Sequence, residues 1–225
     1  NFCITHKYFN FLENLNTKII VGGSEIRDLS KIPNTWIKDN TGENISHKNK
    51  HFGTLTSHYW VWKNQLNKFK ENDWIGFSHY RRHWIKKNNQ NEINIKNLNS
   101  NLLEIIPEET NFDALLTEKI ELNNLKLSKL IKKGLNNYIR NPFILFNRKK
   151  YSIRLHFDLF HAYGILEKSA NYLDHDDRQD FKDYINKQNS FHQFEMFISK
   201  KKYIEPLYKK TFSWIFRCEK EFSNV

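Results

Sequence analysis

Short apolar runs bounded by turn residues alternate along this chain with longer segments of helical period, and that alternation restricts the fold more than any other feature. The runs are FCIT (Phe2 to Thr5), KIIVGG (Lys18 to Gly23), WIGFSH (Trp74 to His79), FDALLT (Phe112 to Thr117) and FEMFIS (Phe194 to Ser199). Each is short and rich in β-branched or aromatic residues, so each predicts a strand. Between them Leu55, Tyr59, Trp62, Leu66 and Phe69 recur at helical steps. That is the stripe of an amphipathic helix, with Thr56, His58, Lys63 and Asn64 on its other side. Further helical patterns are expected over about Leu122 to Ile139, Ile153 to Leu173, Arg178 to Lys187 and Lys201 to Glu221. Strands alternating with helices form an α/β sheet, and the second half is expected to be rich in helix.

A chain of 225 residues with 39% hydrophobic and 27% charged residues can bury a sizeable core without a disulfide or metal staple. Internal repeats and Gly/Ser- or Pro-rich linkers are missing. We expect one domain over residues 1–225, with a weak boundary in the Asn/Lys-rich stretch Lys86 to Asn101. No apolar run approaches the roughly 20 residues needed to cross a bilayer. Cys3 and Cys218 stand at opposite ends without metal-type spacing, which fits reduced thiols in a cytoplasmic protein. The chain opens inside its first strand with neither Met nor an apolar leader, so an N-terminal trim is expected. A net charge of +11 favours anionic partners: nucleic acid, nucleoside diphosphates or a lipid surface. Heavy use of Lys, Asn, Ile, Phe and Tyr beside scarce Gly, Ala and Pro is also what AT-rich codons produce, so charge alone decides little.

The stretch DWIGFSHYRRHW (Asp73 to Trp84) begins as a buried strand and then collects His79, Tyr80, Arg81, Arg82 and His83. In open α/β sheets ligands sit beyond the carboxyl ends of the strands. An arginine pair beside His and Tyr there suits a diphosphate, because each guanidinium offers a planar fork of donors. An exposed strand end making surface ion pairs would read the same way from those residues alone. In DNTGENISHKN (Asp39 to Asn49) Gly42 allows a tight turn, and Asn44 and Ser46 can cap the chain or bond a ligand. The loop leads into the Leu55 helix, whose N-terminus favours an anion. Thr5, His6 and Lys7 leave the first strand at another such end.

Asp174-His175-Asp176 spells the Asp-x-Asp pair of a divalent metal site, but it precedes the polar start of a helix, where Asp serves as a cap. A divalent metal (Mn or Mg) therefore lacks a convincing ligand pair, and cationic side chains are expected to neutralise a diphosphate instead. His156 and His161 stand about 140° apart on an unbroken helix, so they converge on one ligand only if the helix breaks. Trp60 lies off the apolar stripe and is the aromatic available to a sugar.

Taken together, THK near the start, VGG, DNTGENISHKN, LTSHYWVWKN, DWIGFSHYRR, FDALLT, the His156 and His161 pair and EMFISKK resemble a bacterial family of glycosyltransferases. These act in capsule and lipopolysaccharide O-antigen assembly, were long catalogued as a domain of unknown function, and include galactofuranosyltransferase-type members. The resemblance implies a GT-A-like (Rossmann-like) mixed sheet flanked by helices. It also implies a nucleotide-diphosphate-sugar donor, such as UDP-galactofuranose or another UDP-hexose, and a growing, lipid-linked glycan acceptor at the inner face of the plasma membrane.

On that reading the donor half covers about residues 1–118 and the acceptor half about 119–225. Thr5, His6, Lys7, Gly22, Asp39, Gly42, Asn44, Ser46, Lys48, Asn49 and Tyr80 bind the donor. His79, Arg81, Arg82 and Glu195 serve catalysis, and His156, His161 and Trp60 meet the acceptor. Asp39, Glu43, Asp113, Glu118 and Glu195 all remain open as the base. Glu195 stands where the family usually has Asn, the NQLNKFKEN connection is longer than usual, and a further Arg- and acid-containing segment is expected beyond Val225. Two other classes stay in view: a basic nucleic-acid-binding module, and a catalytically inactive sugar- or nucleotide-binding relative.

Overall fold

The structure is a computed structural model that describes residues 1–86, 93–106, 110–122, 151–192 and 195–223. The described strands are β1 (Phe2–Thr5), β2 (Lys18–Val21), β3 (Ile37–Lys38), β4 (Trp74–His79), β5 (Ala114–Leu116), β6 (Lys119–Glu121), β7 (Ser190–His192) and β8 (Phe197–Lys200). The described helices are α1 (Asn49–Phe52), α2 (Leu55–Asn64), α3 (Leu98–Asn101), α4 (Ile153–Phe160), α5 (Ile165–Ser169), α6 (His175–Lys187) and α7 (Lys201–Phe222). The chain divides into two compact units, one of Asn1–Thr117 with Phe194–Tyr208, the other of Glu118–Gln193 with Lys209–Val225.

The first unit holds a six-stranded sheet in the order β3-β2-β1-β4-β8-β5. β1 pairs in parallel with β2 on one side and β4 on the other, and β3 extends the parallel set. β8 then runs antiparallel to both β4 and β5, so the sheet is mixed. Every residue of β1 is buried, as expected of a central parallel strand covered on both faces.

Cys3, Ile19 and Val21 face one core, which Leu12, Trp36, Leu98 and Leu102 complete. Leu98, with Leu102 just beyond it, thus ties the end of the Asn/Lys-rich stretch into the core. Aromatic packing fills the other face, with Phe77 lying 4.4 Å from His58 and 5.1 Å from Phe197 between ring centroids. Phe77 is fully buried, so its truncation to Ala would cost about 3–5 kcal/mol.

The sequence stripe misassigns the buried face of α2. Thr56, Ser57, His58, Tyr59, Trp60 and Val61 are the buried residues of that helix, whereas Trp62 is only partly covered. Thr56 and His58 go inside because each finds a buried partner: Asp39 accepts the Thr56 hydroxyl, and Tyr208 shares a hydrogen bond with His58 Nδ1 at 2.7 Å. At its other end β8 runs directly into α7. The first N–H groups of that helix, from Lys201 and Lys202, bond the carbonyls of Asp73 and Glu71, which satisfies donors that a helix start leaves open.

The second unit contains the antiparallel β6–β7 pair with Ile120 opposite Phe191. Leu122, Tyr151 and Leu159 form its core with Ile153, Leu155 and Phe160 around them. The helix expected over Ile153 to Leu173 is broken: α4 stops at Phe160 and α5 starts at Ile165. Buried Asp158 accepts the Gly164 N–H at 2.9 Å, and Gly164 has φ 73°, a left-handed conformation that glycine adopts without strain. Asp174 holds the N-cap position of α6, and Arg217 pairs with it at 2.9 Å. The helix expected over Leu122 to Ile139 lies almost wholly outside the described residues. Among the described residues no helix is long and apolar enough to cross a membrane.

Candidate active site

The parallel register brings the carboxyl ends of β1, β2 and β4 side by side. The Gly22 N–H bonds the Thr5 carbonyl and the Tyr80 N–H bonds the Ile4 carbonyl, so the chain leaving each strand stays in register for one more residue. Beyond these ends lies an open cleft of about 310 Å3. Thr5, His6 and Gly22 line one part of it, with Asn49, His79 and Tyr80. Arg27, Gly53 and Thr54 complete the wall.

The loop that supplies Asn49 is held from beneath by Asp39, which is fully buried. Its Oδ1 accepts the Ser24 N–H at 2.9 Å and the Ser46 hydroxyl at 2.6 Å. Its Oδ2 accepts the Gly23 N–H at 2.9 Å and the Thr56 hydroxyl at 2.7 Å. A buried carboxylate is tolerated when donors surround it in this way. Gly23 sits at φ 71°, and a Cβ there would collide with the Asn49 side chain at 2.5 Å, which explains the second glycine of VGG. Asn49 Nδ2 donates to the Thr56 hydroxyl and to the Gly53 carbonyl. Its Oδ1 therefore points the other way and accepts from Arg27 Nη2 at 2.7 Å.

The turn after β4 is closed by reciprocal backbone bonds between His79 and Arg82, which places Tyr80 and Arg81 at its tip. Tyr80 stacks on Phe9 at 4.6 Å and meets His6 edge-on at 5.0 Å. The Arg81 guanidinium lies 4.8 Å from the Tyr80 ring centre. Burial lowers the pKa of His6, and the charges of Arg27, Lys7 and Arg81 lower it further, so the mouth of the cleft is electropositive. Burial also lowers the pKa of His79, with Glu195 opposing that shift and Arg82 reinforcing it. Glu195 Oε2 accepts the Thr54 hydroxyl at 2.8 Å, which fixes this carboxylate at the cleft edge.

Of the residues expected at a donor site, Thr5, His6, Gly22, Asn49 and Tyr80 line the cleft, as does His79. Lys7 and Arg81 act on it through their charge on His6, and Arg82 and Glu195 through theirs on His79. Asp39 and Ser46 support the loop from inside. Gly42, Asn44 and Lys48 lie along that loop outside the cleft wall: the Asn44 amide spans Gly42 and Ser46, and Lys48 rests over Phe52.

Trp60 needs correction, for it is 5% exposed and its indole N–H donates to the Thr41 carbonyl at 2.8 Å. It pins the loop instead of offering a sugar platform. Glu195 also precedes β8, which begins at Phe197 and not at Phe194. His156 and His161 lie in the second unit on either side of the α4 terminus, and the charge of His161 adds to burial in lowering the pKa of His156. Arg27 and Thr54 were missed. A single Arg in a loop after VGG carries no sequence signal.

Among the described residues the carboxylates at the cleft do not form a metal-binding pair. Both oxygens of Asp39 are engaged by backbone and hydroxyl donors, which leaves Glu195 beside the wall. Among the described residues no His, Cys, Asp or Glu side chains gather in a metal-ligating group. Arg27, Lys7 and Arg81 bring positive charge to His6 at the cleft.

The sequence matches the family described as Domain of unknown function (DUF4422) over residues 2–224. No curated protein matches it. In fold the chain is similar to the apo structure of the WbbM bifunctional glycosyltransferase, with a TM-score of 0.50 and 20% identity. The match covers 97% of this chain and 36% of that one, so the chain spans about a third of that protein's length. The mixed α/β sheet flanked by helices is GT-A-like.

Proposed function

The chain belongs to the DUF4422 family, and we propose that it is a glycosyltransferase moving a sugar from a nucleoside diphosphate donor to a glycan acceptor. The observation that carries this reading is the electropositive cleft at the carboxyl ends of β1, β2 and β4, where Lys7, Arg27 and Arg81 act together on His6. Departure of a nucleoside diphosphate leaves negative charge on phosphate oxygens, and fixed cations at that point favour the transition state. The fold shared with a protein titled a glycosyltransferase supports the same class.

In this reading Thr5, His6, Gly22, Asn49 and Tyr80 receive the donor, and Lys7, Arg81 and Arg82 neutralise its diphosphate. His79 with Glu195 beside it handles the proton of the acceptor hydroxyl. Asp39 is set aside as the base, since its oxygens are committed to the loop. The resemblance of the motifs extends the proposal to a UDP-hexose donor, including UDP-galactofuranose, and to a lipid-linked capsular or O-antigen acceptor, with His156 and His161 on the acceptor side.

The test is hydrolysis or transfer with a panel of nucleotide sugars, using the full-length protein. Turnover of one donor supports the reading, and no turnover with any donor sinks it. Donor bound without turnover assigns the chain to an inactive relative. Generic oligonucleotide binding with a steep salt dependence, in place of saturable nucleoside diphosphate binding, assigns it to nucleic acid instead.

A further inference from the structure

We infer that Arg27 is the residue that grips the phosphates of the donor, held ready by a hydrogen-bonded chain that starts at buried Asp39. This deepens the glycosyltransferase reading and rests on it.

Arg27 lines the cleft and is exposed, so a ligand can reach it. It is nonetheless fixed: Nε donates to the Gly22 carbonyl at 2.9 Å and Nη2 to Asn49 Oδ1 at 2.7 Å. Both acceptors are neutral. Elsewhere Lys63, Lys201 and Arg217 each face a carboxylate, on Glu43, Glu71 and Asp174. Among the described residues Arg27 has no such counter-ion, and its charge instead adds to that of Lys7 and Arg81 on His6. A guanidinium that is oriented but not neutralised, with N–H groups left over, suits an anion with several oxygens in one plane.

The orientation has a traceable origin. Asp39 accepts only, so the Thr56 hydroxyl gives it the proton. That hydroxyl is then an acceptor for Asn49 Nδ2, and the amide carbonyl of Asn49 is turned to Arg27. The Gly22 carbonyl supplies the second anchor, and a Cβ at that position would crowd Ser57 Oγ at 2.9 Å. Holding the guanidinium before the ligand arrives removes the entropy of immobilising it on binding.

The experiment uses the full-length protein with Mg2+ present. UDP, dTDP and GDP are titrated calorimetrically, and the matching nucleosides are followed by ligand-observed NMR, which reads weak binding. For the diphosphate that the parent binds, Arg27→Ala is expected to weaken affinity by about tenfold or more while leaving the nucleoside signal in place. Arg27→Lys should recover only part of the loss, since an ammonium restores charge but not the fork. Unchanged diphosphate affinity in Arg27→Ala, or equal loss for diphosphate and nucleoside, overturns the assignment while leaving the transferase reading intact. A parent that binds none of the diphosphates overturns both.

Discussion

Asp39 Oδ2 accepts the Thr56 hydroxyl at 2.7 Å, and that donation, together with the Gly53 carbonyl, turns the Oδ1 end of the Asn49 amide toward Arg27. Replacing Asp39 by Ala strands the Gly23 and Ser24 N–H groups and the Ser46 and Thr56 hydroxyls in a buried place. We predict a loss of roughly 3 kcal/mol or more in denaturant unfolding, the scale expected when a buried hydrogen-bonded network loses its centre. A variant within about 1 kcal/mol of the parent would show that the loop is held by something else.

Arg81 and Arg82 are exposed, and the turn containing them is closed by backbone bonds that an Ala substitution keeps. Arg81→Ala and Arg82→Ala should therefore unfold within about 1 kcal/mol of the parent while transfer falls by roughly a hundredfold. Steady-state assays beside thermal melts separate the two effects. Parent-like turnover in both variants makes HYRR a structural strand end.

His58 is fully enclosed against Phe77 and Tyr208, and burial pushes its pKa from 6.5 to about 3. Between those values the unfolded chain binds a proton that the folded chain excludes. The stability that His58 contributes is therefore complete above about pH 6.5 and drains away as pH falls toward the folded value. Urea midpoints between about pH 7 and pH 5 should decline in the parent and decline less in His58→Gln, before most carboxylates titrate. Parallel declines would acquit His58.

Glu195 raises the pKa of His79 against the opposing effects of burial and Arg82. Neutralising that carboxylate in Glu195→Gln should shift the His79 titration to lower pH, as read from its ring resonances. If activity depends on His79 titrating, the acid limb of the rate profile should move the same way. A His79 titration that stays in place would separate Glu195 from the chemistry.

With Asp39 committed to its loop donors and Glu195 held by Thr54, nucleoside diphosphate binding is predicted to survive EDTA, changing by less than about threefold. Loss of binding that added Mn2+ or Mg2+ restores would overturn this.

The strands most legible in the sequence were those buried on both faces. FCIT and WIGFSH are continuous apolar runs because β1 and β4 are the two central strands of the mixed sheet. β3 went unseen since Ile37 and Lys38 are its whole length, and β6 and β7 are only one residue longer, with β6 mostly exposed. Periodicity failed on α2 for a specific reason: a buried carboxylate makes polar residues good interior residues, and a scale of hydrophobicity cannot know where Asp39 will be. The same limit applies to the cleft. His79 and Tyr80 were found because they follow an apolar strand, whereas Arg27 depends on a neighbour, Asn49, that lies 22 residues away.

The insertion of β8 between β4 and β5 has a temporal side. On a ribosome, β1, β2, β3 and β4 emerge long before Phe197 to Lys200, so β4 must wait with an unpaired edge while more than a hundred residues are made. An open edge of that kind is a template for wrong pairing. The late strand is therefore also the step that ends the exposure, and a chain released before it arrives would keep Ile75 and Phe77 on a border instead of in an interior.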